Sequence, residues 1–222
     1  ADVIIVRHVV EHAYDLNEFI SAISELIHSD GYIVWELPDC ERALIEGDCT
    51  TLWEEHIHYF TSFTFRCTLE SSGFYIVHSE SVPYPLENSL IVIAKKNKLN
   101  ISDTPENKTA VKREIIRAYQ FARKITDRRN IIQAKFKYFK EKYGPIAIFG
   151  AGHLTVAFIS IMEVDDMIDF VIDDNPNKKG MAMPIGNIKI LGSDALYKEG
   201  VKLCLLGLNP QNQSKVIANH DA

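Results

Sequence analysis

Apolar positions along the chain switch repeatedly between the period of a strand and that of a helix. Val3 to Val6 is a short β-branched run, which predicts a buried strand. From Asp15 to His28 the apolar residues are Leu16, Phe19, Ile20, Ile23, Leu26 and Ile27, the three-and-four spacing of a helix, and Gly31 follows as a stop. Tyr32 to Leu37 predicts the next strand, ended by Pro38-Asp39. Residues 40–62 keep no period and predict an irregular stretch. Ser62 to Ser72 predicts a helix with Ser62 as its N-cap and Gly73 at its end. Phe74 to Ser81 and Ser89 to Ala94 predict two antiparallel strands joined through PYPLEN.

A polar linker is expected over 97–107. Lys108 to Tyr143 then carries a long, charged helical pattern, one helix or two, with apolar positions that include Ile115, Ile116, Tyr119, Phe121, Ile125, Ile131, Phe136 and Phe139. Gly144-Pro145 ends it. Beyond it come a strand to Phe149, a helix over Leu154 to Met162, and strands at Asp169 to Ile172, Ile188 to Leu191 and Lys202 to Leu206, with Ser193 as an N-cap. The β-α-β-β-α-β order predicts a parallel, doubly wound sheet. The expected organisation is therefore α/β in three parts: a Rossmann-like domain over 1–100, a helical linker over 101–143 and a second Rossmann-like domain over 144–222.

Composition narrows the function classes. Hydrophobic residues at 46% and charged residues at 24% are a globular balance, enough to bury a core in each part. A net charge of -6 gives no global attraction for nucleic acid or an anionic membrane, so neither is expected as a partner, although a local basic pocket for phosphate stays open. The four cysteines have no CxxC spacing, which fits thiols of a reducing, cytoplasmic compartment. No run approaches the ~18 apolar residues of a membrane span. The chain opens inside a strand and stops without a helix-stop signal, so a piece of a longer protein is expected.

Two Glu–His pairs concentrate the chemistry of the first hundred residues: Glu11-His12 after the first strand, and Glu55-His56 within TTLWEEHIHYFTS. A carboxylate beside an imidazole makes a tuned general base, and the carboxyl edge of an open α/β sheet is where ligands bind. The alternative for each is a packed imidazole satisfied by backbone. His8 to His12 also spells HxxEH, a zinc motif that needs both His on one helical face and a third ligand. Here the two follow a strand and the next helix starts at Asp15, so no metal is expected. In EEHIHYF, His56 and His58 point to opposite sides of an extended segment, so only one need face a pocket, with Tyr59 and Phe60 packing around it. In the second half Gly150-Ala151-Gly152-His153 turns from strand to helix, where backbone N–H groups can meet a phosphate. The third glycine of a dinucleotide fingerprint is replaced by Thr155. Asp173 and Asp174 stand where an acid meets a ribose, and Lys178-Lys179 could add positive charge. The alternative for the whole group is a tight structural turn with solvated lysines.

The order of these motifs (ADVIIVRHVVEH, GYIVWELPD, EEHIHYFT, SSGFYIV, then IAIFGAG, VIDDNPNKKG and GLNP) resembles the later half of class I S-adenosylmethionine methyltransferases. More narrowly it resembles the sugar C-methyltransferases that act on nucleotide-linked keto-deoxysugars, over about residues 1–215. The resemblance implies removal of a proton α to a ketone and attack of the enolate on the methyl of S-adenosylmethionine. It places the catalytic role on His56, with Glu55 beside it, and on His12 as second candidate. It puts Arg7 and His8 at the cofactor wall, and Tyr59, Gly150, Gly152, His153, Asp173 and Lys178 toward the nucleotide-sugar substrate. A Tyr frequent in the family three residues before the motif His is Trp53 here. The glycine-rich cofactor loop and the cysteine-rich zinc module of such proteins would lie before residue 1, so this chain by itself is expected to bind the cofactor weakly. Two other readings fit the same motifs: an NAD(P)-dependent or other nucleotide-sugar-modifying enzyme using GAGH and Asp173, and a non-catalytic Rossmann-like assembly module.

Overall fold

The computed structural model describes residues 1–53, 55–85, 87–96 and 105–220, so most of the expected 97–107 linker lies outside the described residues. The chain forms two compact units, Ala1–Phe121 and Ala122–Ala222.

The first unit is built on β1 (Val3–Arg7), α1 (Leu16–Leu26), β2 (Tyr32–Asp39), α2 (Glu41–Glu46), α3 (Ser62–Ser71), β3 (Phe74–Val82) and β4 (Asn88–Lys96). The sheet order is β1-β2-β4-β3. β1 and β2 are parallel, while β4 runs antiparallel to both its neighbours. α1 follows its apolar stripe, buries Ile20, and starts where the Asp15 side chain accepts the Glu18 N–H at 2.9 Å. Four details differ from the sequence expectation. β1 is buried on one face only: Val6 joins the core, while as the outer strand of the described sheet it leaves Val3 54% and Ile5 70% exposed. β2 runs through Pro38, because β1 pairing ends at Arg7–Glu36 and a proline is tolerated where the strand has lost one neighbour. The irregular 40–62 stretch contains α2, closed by Gly47 at φ +71°. α3 is capped by Thr61 rather than Ser62, in a reciprocal box with Thr64.

The core of this unit lies on one side of β2. Trp35, Leu37, Phe65, Leu69 and Phe74 are fully buried. Trp35 meets Phe65 edge-on at 5.7 Å, and Phe65 meets Phe60 at 5.0 Å. That aromatic line runs from mid-sheet into the EEHIHYF segment and fixes its far end.

A single 39-residue helix, α4 (Pro105–Tyr143), contributes to both units. Phe121, Ile125 and Phe136 are buried, whereas Ile115, Ile116 and Ile131 of the expected apolar stripe stay about half exposed. The second unit continues with β5 (Ile146–Phe149), α5 (His153–Met162), β6 (Phe170–Ile172), β7 (Ile190–Leu191), α6 (Ala195–Lys198), β8 (Leu203–Leu206) and α7 (Pro210–His220). Its sheet is parallel with order β7-β6-β5-β8. Succession runs outward from β5 to β7, then returns to the other side of β5, which makes the β5–β8 edge the switch point. β5 is buried along its whole length, as a central parallel strand should be. Asp194, not Ser193, holds the N-cap position of α6. α7 is not predicted from its polar sequence; Pro210 opens it, and Asn209 Oδ1 accepts the Gln211 N–H at 3.0 Å. Among the described residues no helix is long and apolar enough to cross a membrane.

Candidate active site

The titratable groups of the first unit converge at the carboxyl ends of β1 and β2. His8 leaves β1 at φ +50°, a left-handed conformation uncommon outside glycine, and its N–H is held by the Glu36 carbonyl at 2.8 Å. A short 3-10 turn over Val10–His12 follows and turns Glu11 inward, leaving it 1% exposed. The Glu11 carbonyl then accepts two N–H groups, from Ile57 at 2.9 Å and His58 at 3.0 Å. The His58 ring Nε2–H donates to the Ala13 carbonyl at 2.9 Å. These bonds fasten the EEHIHYF segment onto the turn after β1.

The result is an imidazole pair. The His12 and His56 rings stand edge to face at 4.8 Å and 75°. Trp53 and Tyr59 flank His56 at 6.3 Å and 6.0 Å, and the Tyr59 hydroxyl donates to the Trp53 carbonyl at 3.0 Å. His12 Nδ1 lies 2.9 Å from the Glu55 carbonyl, which can only accept, so Nδ1 carries the proton and Nε2 faces inward. That Nε2 is 3.9 Å from Glu11 Oε1, and His8 Nδ1 is 3.4 Å from the same oxygen. His8 Nε2 lies 3.5 Å from Glu36, whose other oxygen accepts from Arg7 Nε at 2.6 Å.

Burial pushes the His56 imidazole below its ordinary value; Glu11 pulls upward, His12 pushes down again, and Glu55 adds a weaker upward pull. Burial also raises the Glu87 carboxyl, with His8 opposing and Glu11 adding to the rise. The Arg7 hydrogen bond holds Glu36 below the usual carboxylate range.

The structure thus brings His12, His56, His8 and Arg7 to one edge and leaves the Glu55 carboxylate, expected beside His56, with only a weak upward pull on that imidazole. The Glu55 side chain is exposed, and its backbone carbonyl, not its carboxylate, orients His12. The buried carboxylate shared by the imidazoles is Glu11. Glu36 and Glu87 are further members that sequence reasoning misses, since nothing local to either marks it as facing His8. For Glu11 the signal existed: it precedes His12 as Glu55 precedes His56.

In the second unit the expected phosphate turn is largely engaged with itself. Gly150 sits at φ +105°, and a Cβ there would stand 2.6 Å from Leu208 Cδ2 and 2.9 Å from the Gly207 carbonyl, so its glycine is required by packing. A Cβ at Gly152 would meet open space, and His153 opens α5 directly behind it. Asp173 Oδ2 accepts the Ala151 N–H at 2.9 Å and the Lys178 amine at 3.1 Å, while that amine also donates to the Ala151 carbonyl at 2.8 Å. Asp173 and Lys178 therefore hold the turn. Burial alone would raise the Asp173 carboxyl, but the N–H groups of Asn175 and Ala151, with Lys178, more than offset it and hold it low. A depressed carboxyl adds stability that is complete above its unfolded value, about 3.9, and is lost as pH falls through the lower folded value. Asp173→Ala is expected to destabilise the second unit by ~1–3 kcal/mol at neutral pH. Denaturant titration of both proteins should show the gap closing in strong acid.

Two family models match the chain. Residues 91–222 match a family described as "C-methyltransferase C-terminal domain", and residues 1–79 match one described as "Methyltransferase domain". The first match covers more than half of the chain, and the chain belongs to the C-methyltransferase C-terminal domain family. The mixed sheet of the first unit lies largely within the stretch matched by the methyltransferase domain, and the second unit is a parallel α/β sheet. No curated protein matches the chain. Among solved structures, the 1,6-didemethyltoxoflavin-N1-methyltransferase of Burkholderia thailandensis, with 1,6-didemethyltoxoflavin and S-adenosylhomocysteine bound, is 16% identical over 44% of this chain and 44% of that chain, with a TM-score of 0.35. LepI in complex with S-adenosylmethionine is 14% identical over 43% of this chain and 26% of that chain, with the same score. The chain spans less than half the length of these solved proteins.

Proposed function

We propose that the intact protein is an S-adenosylmethionine-dependent C-methyltransferase acting on a nucleotide-linked keto-deoxysugar, with His56 as the general base. The observation that carries this reading is the His12–His56 pair over buried Glu11, at the ligand edge of a methyltransferase sheet. His56 takes the proton from the carbon next to the ketone, and the electron pair moves into the enolate. The bound cofactor supplies an electrophilic methyl on sulfonium, so the enolate carbon gains the methyl and a thioether leaves. His12, oriented by the Glu55 carbonyl, is the second proton carrier. The apolar and aromatic residues around the pair keep water from the enolate. Arg7 and His8, leaving β1 beside the pair, face the cofactor. Tyr59 lines the sugar side. Trp53 supplies a ring but no hydroxyl at its position. Gly152 and His153, on the turn held by Asp173 and Lys178, meet the nucleotide. Thiols without CxxC spacing fit a cytoplasmic location.

The test is an assay of the intact protein with the methyl donor and a panel of nucleoside diphosphate sugars, read by mass spectrometry. Keto-deoxysugars should gain one methyl on carbon, and the same sugars reduced to alcohols should not react. Methylation of the alcohols on oxygen would overturn the reading.

A further inference from the structure

We propose that Glu11, His12 and His56 form a binding site for a divalent transition-metal ion of the zinc class. The three side chains offer one carboxylate oxygen and two imidazole nitrogens within 4.8 Å of one another. A carboxylate with two imidazoles suits zinc and its first-row neighbours rather than magnesium or calcium. The proposal goes beyond the methyl-transfer reading and does not rest on it.

Two observations point to an ion rather than to a chance cluster. Glu11 is 1% exposed, and among the described residues neither carboxylate oxygen has a hydrogen-bond partner. A buried carboxylate in that state is unfavourable unless a cation meets it. The nearest nitrogens, His8 Nδ1 at 3.4 Å and His12 Nε2 at 3.9 Å, stand at ion-pair distance but make no aligned hydrogen bond to it. The second observation is the far side of His12. Its Nδ1–H donates to the Glu55 carbonyl at 2.9 Å, the arrangement that metal-bound imidazoles use to fix their tautomer and aim the other nitrogen at the ion.

The backbone makes the site possible. The HxxEH spelling does not put His8 and His12 on one helical face, and the missing ligand comes instead from His56. The Ile57 and His58 bonds to the Glu11 carbonyl set that residue beside the turn. His8 is left as a neighbour of the Glu11 carboxylate, outside the donor set. Donors on one tetrahedral zinc-class ion, each ~2.1 Å from it, stand ~3.4 Å apart, so a spacing as wide as 4.8 Å must close by more than an ångström. The His56 ring is partly exposed and can turn to do so. Three protein donors leave a position for water or a substrate oxygen. An ion there takes up the His56 lone pair, so the loaded form cannot use that imidazole as a base.

The experiment titrates the metal-stripped 222-residue chain with Zn²⁺ by calorimetry and with Co²⁺ by visible absorption, without substrate or cofactor. The expected result is one saturable site with a ligand-field spectrum of low coordination number and no thiolate charge-transfer band. His56→Gln and Glu11→Gln should each weaken binding by ~100-fold, and His8→Gln by ~10-fold. His78→Gln, on exposed β3, should leave it unchanged. If Glu11→Gln misfolds by circular dichroism, His56→Gln alone decides. Absence of saturable binding, a thiolate band, or equal affinity in His56→Gln and the parent chain would each overturn the site. A negative result leaves the base role of His56 untouched, since that role is read in the metal-free protein with substrate present.

Discussion

His56→Ala should lower kcat of the intact enzyme by about 10²–10⁴ while changing KM little, since a base acts in the transition state rather than in substrate binding. The ring is partly buried, faces His12 at 4.8 Å, and lies between Trp53 and Tyr59. Among the described residues its side chain makes no hydrogen bond that shapes the segment: the Ile57 and His58 amides and the His58 ring hold the backbone in place. Truncation should therefore remove chemistry and leave the fold. Steady-state kinetics with the keto-sugar check this. A kcat close to that of the parent would make His56 a packing residue and move the base role to His12.

The second large effect is on stability. Trp35→Ala should cost the first unit ~3–5 kcal/mol, the range for a large aromatic removed from a packed core. Trp35 is fully buried at the centre of β2, and through Phe65 it supports Phe60, whose carbonyl accepts the Cys40 N–H at 2.8 Å. The loss should reach the site as well, because Phe60 ends the segment that carries His56. Urea unfolding followed by circular dichroism measures it. A loss below about 1 kcal/mol would mean that the core relaxes around the gap.

Elements with a clean period were legible in the sequence. α1, β3, β4, β5 and α5 fall where their apolar spacing puts them, and the second sheet is parallel as its alternation implies. Caps and short helices were less legible. Thr61 and Ser62 are both good caps, and only the Thr64 side chain reaching back selects Thr61. α7 has a polar sequence whose start is marked by Asn209-Pro210, a signal equally at home in a turn. At the site the Glu–His pairs pointed to the right segments but not to the right carboxylate. Which glutamate is buried depends on the 3-10 turn after His8, and that turn depends on tertiary bonds to Ile57 and His58. Asp173 shows the converse. Its position after the second strand of the unit suggests a ribose contact, whereas its side chain is held by the Ala151 amide and Lys178.

The most direct test of the central claim is proton exchange at the substrate carbon. The intact protein is mixed in D₂O with the keto-deoxysugar nucleotide, and S-adenosylhomocysteine replaces the methyl donor. NMR then follows the signal of the hydrogen next to the ketone. The account predicts loss of that signal with the parent enzyme and its persistence with His56→Ala. Equal exchange in the two proteins, or none in the parent, would contradict it.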